Sequence, residues 1–375
     1  MSWLIPPWQP LLLFLFQASL SIATTFACKI ISMEIGIGMF GDLHINNKGE
    51  IQSVQQRLQE LIEEIKLMDE VGLDFFGIGE HHRPDYAVST PQIILAAATT
   101  VTKNIKLGSA VSVLSSSDPV LLYQSFATVD LISGGRAELV VGRGSFTESF
   151  PLFGYDLSDY DALFEEKLDL LLKINKEQRV SWKGKFRPEL VDQEVLPRAA
   201  NGQLDIWVAV GGTPESVLRA GRLGLPVIFA IIGGNPAHFK PLFDYYRKVY
   251  AHFGHKPEAL QVGVHMHSFF GQDSRQIAEE YYPLYAAQMN RIGRQRGWPP
   301  YQKQQFEQGR APHGHLLIGD ANEAIDKILQ LQELFGLTRF SAHMDVGGPS
   351  HLSLMKSIEI FGTKIAPKVR EALRK

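Results

Sequence analysis

Apolar positions along this chain change period repeatedly, and each change marks an element. Glu34-Ile35-Gly36-Ile37-Gly38-Met39-Phe40 is a short apolar run and predicts a buried strand. Ile51, Val54, Leu58, Leu61, Ile65 and Met68 then recur at three- and four-residue steps, one face of a helix that Gly72 is placed to stop. The same alternation continues. Strands are predicted at 73–79, 105–113, 137–141, 206–210, 227–230, 261–269 and 338–344. Helices are predicted at 91–101, 120–132, 159–174, 214–223, 236–253, 274–293 and 322–335, with a last helix from about His351. Asp118-Pro119 supplies an N-cap and a first-turn proline for the helix at 120–132, and Gly134-Gly135 ends it. The stretch from about Asn175 to Asp205 and a second one opening at Gly297-Trp298-Pro299-Pro300 read as irregular insertions.

Eight strands alternating with helices predict a parallel sheet closed on itself, an α/β (β/α)8 TIM barrel with insertions. An open doubly wound sheet would carry a G-x-G-x-x-G turn after its first strand. Gly36 and Gly38 lie inside that strand instead, and no such turn follows.

The predicted barrel occupies residues 33–375 as one domain. Residues 1–32 differ in character. The run Leu11 to Phe16 is apolar but too short for a spanning helix of about 20 residues, and no Lys or Arg precedes it as a secretory signal requires. The expectation is an upstream extension before a start at Met33, with export as the minor alternative and a cytoplasmic enzyme as the main one. The single cysteine, Cys28, allows no intramolecular disulfide and no cysteine-based metal cluster, which agrees with a reducing compartment. With 45% hydrophobic and 21% charged residues the chain has an ordinary globular balance, and its net charge of −3 offers no basic footprint for nucleic acid or a membrane surface.

In such a barrel the chemistry gathers at the C-terminal ends of the strands. The second strand ends in Gly79-Glu80-His81-His82. A histidine there can act as a general base, Glu80 can orient a ring by accepting its proton, and the three side chains together can hold a metal. The fourth ends in Gly142-Arg143-Gly144-Ser145, an arginine flanked by glycines that let a backbone approach an anion. The fifth ends in Gly211-Gly212-Thr213-Pro214-Glu215-Ser216, a glycine turn running straight into a helix N-terminus with two hydroxyls. An arginine facing such a turn suits a phosphate-bearing cofactor. The segment Asp345 to His351 after the eighth strand is expected to close the other wall of the pocket, and His343 either points into the barrel or is core.

These segments resemble the bacterial luciferase-like, flavin-dependent monooxygenases. The resemblance is carried by Gly79 to Tyr86, Ser109 to Ser115, Val140 to Phe150 with Phe153-Gly154, Val210 to Ser216 with Gly224-Leu225-Pro226, and Ser357 to Gly362, in order over nearly the whole barrel. It implies FMN as cofactor and frequent dimerisation. It implies that His81 is the catalytic histidine near the reactive edge of the flavin and that Glu80 is its acidic neighbour. Ala110-Val111 falls where the family often has a non-proline cis peptide against the flavin. Arg143 is implied as a phosphate ligand, and Gly211, Gly212, Thr213 and Ser216 as the phosphate-cradling loop. Two positions depart from the light-emitting luciferase subunit: Gly142 stands where that subunit has a cysteine, and Ser149 where it has an acidic residue. Those departures argue against bioluminescence and leave the phosphate site untouched.

The expected activity is oxygenation of a small organic substrate by O2 with reduced FMN. A separate reductase is expected to supply the reduced flavin, because no nicotinamide fingerprint is visible, and a homodimer is the expected assembly. Three alternatives stay open at this point. They are hydride transfer with the deazaflavin F420, a metal-dependent hydrolase built on Glu80, His81 and His82, and a flavin-binding protein without catalysis.

Overall fold

In the computed structural model, residues 33–46 and 48–374 are described, so the expectations for the first 32 residues lie outside the described part. Eight parallel strands form the barrel: β1 (Glu34–Met39), β2 (Phe75–Ile78), β3 (Lys106–Ser109), β4 (Ala137–Gly142), β5 (Asp205–Val210), β6 (Val227–Ala230), β7 (Val262–Phe270) and β8 (Arg339–His343). Each pairs with the next in sequence, and β8 pairs back onto β1 with Glu34 opposite Arg339 and Gly38 opposite His343. The ring is therefore closed, and the expected TIM barrel is the observed fold.

Around it lie α1 (Val54–Glu70), α2 (Pro91–Thr99), α3 (Pro119–Ser133), α4 (Tyr160–Lys176), α5 (Pro214–Leu223), α6 (Lys240–His252), α7 (Ser274–Arg296), α8 (Lys303–Arg310), α9 (Ala321–Phe335) and α10 (His351–Ile360). No helix among the described residues is long and apolar enough to cross a membrane. Capping explains several of the boundaries. Asp118 accepts from the backbone of Val120 and Leu121 ahead of α3, and Gly134 ends that helix at a φ of 73°, where a side chain would be strained.

The sequence pattern misjudged the two insertions. Residues 175–205 hold an antiparallel hairpin, Arg179–Trp182 against Leu190–Glu194, whose second strand is too polar and exposed to stand out as apolar alternation. The second insertion holds α8 and a three-residue strand, Leu317–Gly319, that adds in parallel to the outer half of β7. The third predicted strand is also interrupted. It breaks at Ala110-Val111, which is cis, and resumes at Ser112–Val113.

The inside of the barrel positions the site. Side chains alternate along a strand, so every second residue points inward. The innermost layer at the N-terminal end is ionic. Arg339 on β8 donates to both carboxylate oxygens of Glu138 on β4 at 2.8 and 2.9 Å, and its Nε donates to Glu34 on β1 at 2.8 Å. Lys106 on β3 donates to Glu34 and Glu138, and the Arg339 guanidinium lies 4.4 Å from the Phe75 ring and 4.1 Å from the Trp207 ring. The next layer would ordinarily be filled by large side chains. Here β1, β2 and β3 present Gly38, Gly77 and Gly108, and β5 presents Ala209. Small residues on neighbouring strands leave a cavity of about 400 Å3, open at the C-terminal end of the strands and floored by Glu138 and Arg339.

Candidate active site

The mouth of this cavity is built by the ends of β3, β4 and β5. Ala110, Val111, Arg143 and Gly211 line it, together with Gly142, Gly144, Ser145 and Tyr160. Arg143 donates to Ser216 Oγ at 3.2 Å, and Ser216 Oγ lies 2.8 Å from Thr213 Oγ1. The sequence-predicted cluster of Arg143, Thr213 and Ser216 is thus one contiguous group at the N-terminus of α5. Gly211 has open space where a Cβ would stand, and Gly212 has a φ of 116°, so the turn exposes backbone that a side chain would cover or strain. The helix dipole and free N–H groups of this end favour an anion. Asp161 pairs with Arg143 at 2.5 Å and Tyr160 lies beneath its guanidinium, 5.4 Å to the ring centre; pattern reading missed both residues, since they open an ordinary amphipathic helix.

Gly142 has a packing reason. A Cβ there would lie 2.8 Å from Val111 Cγ2, so the cis segment occupies the space a cysteine would need. Gly142→Cys is expected to displace Val111 and cost about 1–3 kcal/mol of stability, as overpacking does, read as a shift in urea midpoint; an unchanged midpoint would show that this contact is soft.

Glu80, His81 and His82 separate in the structure. Glu80 Oε1 meets His82 Nε2 at 3.0 Å, and Glu80 Oε2 accepts from the Val113 backbone at 2.9 Å. The carboxylate therefore orients His82 and anchors the strand beyond the cis bond; it does not touch His81. His81 packs instead among aromatic rings: Tyr86 at 4.3 Å, Phe40 at 4.5 Å and Phe146 at 5.3 Å between centroids. Neither ring nitrogen has a protein partner. Burial, reinforced by repulsion from His343, pushes His81 down to about 3, so the ring is neutral at ordinary pH. His81 is not on the cavity wall; Phe40, which is, packs against it. Nor do the three side chains gather as metal ligands. Among the described residues the one group of ligand atoms close enough for that is Glu60, Glu64 and His351, on the outside of the barrel. The hydrolase alternative loses its ligand set.

The segment after β8 does not close the pocket either. Asp345 is fully buried beneath the end of β1, accepting from the backbone of Phe40, Gly41 and Asp42, with Arg57 at 3.5 Å. His351 turns outward to Glu63 and Glu64. What closes the wall opposite Arg143 is a set the sequence reading largely passed over: His265 and His267 on β7, and Ser341 and His343 on β8. The available signal was the two-residue spacing in Val-His-Met-His and Ser-Ala-His, which puts each pair on one face of its strand.

Residues 37–338 match the family described as luciferase-like monooxygenase. This chain belongs to that family. An uncharacterised protein of Sinorhizobium fredii, y4vJ, is 25% identical over 348 residues, 87% of this chain and 95% of its own length. The chain spans under half the length of the next curated relatives it matches. Among solved structures, the oxygenating constituent of 3,6-diketocamphane monooxygenase from Pseudomonas putida, in complex with FMN, aligns at a TM-score of 0.70 and 20% identity over 90% of this chain and 99% of that one. The coenzyme F420-dependent tetrahydromethanopterin reductase of Methanopyrus kandleri aligns at 0.68 and 17% over the same shares. Solved structures that share this fold thus include one in complex with FMN and one that is F420-dependent.

Proposed function

We propose that this luciferase-like protein oxygenates a small organic molecule with O2 and reduced FMN at the hollow C-terminal end of the barrel. The observation that carries the reading is the convergence of Arg143, Thr213 and Ser216 on the N-terminus of α5, beside open backbone at Gly211. That cradle has the donors and size for one terminal phosphate. Beside it Asp161 pairs with Arg143 and Glu165 with Arg219, so the guanidinium charges next to the cradle are each matched by one carboxylate.

Reduced FMN supplies the electrons and the atom at which O2 is activated. The protein's own residues do the rest. Arg143, Thr213 and Ser216 would hold the phosphate, and the cis Ala110-Val111 segment would bound the ring system. The small-residue layer leaves room for substrate, and the apolar wall of Phe40, Val140 and Ile228 would limit water at the reacting atoms. His81 is assigned to proton transfer on the resemblance of its motif alone, since its ring stands behind Phe40 and off the cavity wall. Its neutral ring can take a proton at one nitrogen and release one from the other. A separate reductase and a homodimer complete the proposal.

The test is cofactor discrimination. Arg143→Ala is expected to weaken FMN at least thirtyfold while leaving riboflavin within about threefold, because only FMN carries the phosphate. Equal losses for both, or no FMN binding by wild type, would end this reading. His81→Ala is expected to slow turnover about 100-fold with FMN affinity nearly unchanged, the size typical of a lost acid–base group; unaltered kcat would remove His81 from the chemistry.

A further inference from the structure

The wall facing the phosphate end is polar in a place where polarity is costly. In an eight-stranded ring β7 and β8 stand across from β3 and β4, so His265, His267, Ser341 and His343 face the Ala110-Val111 and Arg143 side across the cavity. The strand register sets them side by side, with His265 opposite Ser341 and His267 opposite His343. All four are at least nine-tenths buried. Room for them is made by a neighbour: a Cβ on Gly38 would lie 2.4 Å from His265 Cε1.

Their hydrogen bonds are only partly used. His265 Nδ1 pairs with Ser341 Oγ at 2.9 Å, and His267 Nδ1 with Tyr285 OH at 2.9 Å. Nε2 of His265 has no hydrogen-bond partner within the protein. His343 Nδ1 has no partner within the protein, and its Nε2 reaches only the Asp345 carboxylate, at 3.3 Å and outside good hydrogen-bond alignment. Buried polar atoms in native proteins are normally satisfied, and a lasting exception asks for a function. Each imidazole fixed by one bond presents a donor or an acceptor of set direction.

Charge narrows the class of ligand. Burial, with repulsion from His343, keeps His265 and His267 well below the usual histidine range, so both are neutral. Arg339, the cation at the floor, is committed to Glu34 and Glu138. Asp345 stands ionised behind His343, its carboxyl held down against burial by His343 first, then by Arg57 and the backbone N–H groups of Phe40, Gly41 and Asp42. The charges at the deep end are therefore paired within the protein, His343 and Arg57 with Asp345 and Arg339 with Glu34 and Glu138, while Val140, Ala209, Ile228 and Ala230 complete it with apolar surface.

We propose that His265, His267, Ser341 and His343 form the substrate subsite, and that it takes the carbonyl or hydroxyl oxygen of a neutral, otherwise apolar molecule. The inference rests on the oxygenase reading for the word substrate, but the binding it describes needs no turnover. The experiment titrates the whole protein, with and without oxidised FMN, against cyclohexanone, methylcyclohexane, cyclohexanecarboxylate and cyclohexylamine. Cyclohexanone carrying 13C at its carbonyl also reports the hydrogen bond directly in the infrared.

The ketone is expected to bind at least tenfold tighter than the hydrocarbon and both ions, with its carbonyl band moved to lower wavenumber. His265→Leu combined with His343→Leu is expected to erase both preference and band shift, while the corresponding Asn substitutions retain part of each. Equal affinity for ketone and hydrocarbon, an unshifted band, tight binding of either ion, or a preference that survives the double leucine variant would each overturn the subsite. The wild-type panel decides the matter even where a variant misfolds. Failure of FMN to bind in the parallel titration strikes the oxygenase reading and leaves the ketone result standing.

Discussion

Arg339→Ala is expected to destabilise the protein by about 3–5 kcal/mol, the cost of breaking a buried ion pair on one side. The residue is 2% exposed and ties β8 to four other strands, through Glu34 on β1, Glu138 on β4 and the rings of Phe75 on β2 and Trp207 on β5. Burial alone would raise the Glu138 carboxyl, yet Arg339, and after it Lys106, hold it below its ordinary value. Removing the arginine leaves that carboxylate in a low-dielectric site with Lys106 as its remaining cation. A change in urea midpoint at constant slope would read the loss. Arg339→Met together with Glu138→Gln should recover most of it, because the double variant buries neither charge. A single variant as stable as wild type would show that the ionic layer is incidental to the barrel.

That layer also explains why the fold was easier to read than the site. The strands announce themselves because their outward faces are packed under helices and are almost wholly apolar: Ile35 and Ile37, Phe76 and Ile78, Leu139 and Val141, Val264 and Met266. Closure into eight followed from counting them. The inward faces carry the information that matters for chemistry, and there the pattern is diluted by glycine. Gly36 and Gly38 looked like strand punctuation; in the structure they make room for Phe75 and His265.

The cluster proposed as the phosphate cradle was legible because its parts, Arg143 and the turn 211–216, each sit at a strand end that the barrel must bring to one rim. The histidine wall was not, because His265 and His267 lie within β7, where a buried polar residue reads as core until its register with Ser341 and His343 is known. Likewise, no spacing rule tells which of two adjacent histidines a neighbouring glutamate will hold. Consecutive strand-end residues diverge, so Glu80 reaches His82 while His81 turns to the aromatic cluster.

The same buried imidazoles set the pH dependence of stability. Burial pushes His81 to about 3 and puts His265 and His267 well below 6.5, so the folded protein declines protons that the unfolded chain accepts. For such groups stability is complete above the unfolded value near 6.5 and falls as pH falls below it. Each contributes about 1.4 kcal/mol per pH unit once well below that value, so roughly 4 kcal/mol should be gone by pH 5.5. His315, lowered by burial to about 4, acts in the same direction. His351, raised by its bond to Glu64, acts in the opposite one. Asp42, pushed well above the ordinary carboxyl range by burial and by Asp345, also acts in the opposite direction, because the folded protein holds a proton there that the unfolded chain releases. Glu138 and Asp345, both held below their ordinary values, lose their share only under about pH 4.5. Urea unfolding at pH 7.5 and 5.5 tests the balance. A His265→Asn variant should lose about 1.4 kcal/mol less than wild type between the two. A wild type and a His265→Asn variant that lose the same amount between pH 7.5 and 5.5 would mean that His265 is protonated in the folded state, and with that the uncharged wall assigned to the substrate would be gone.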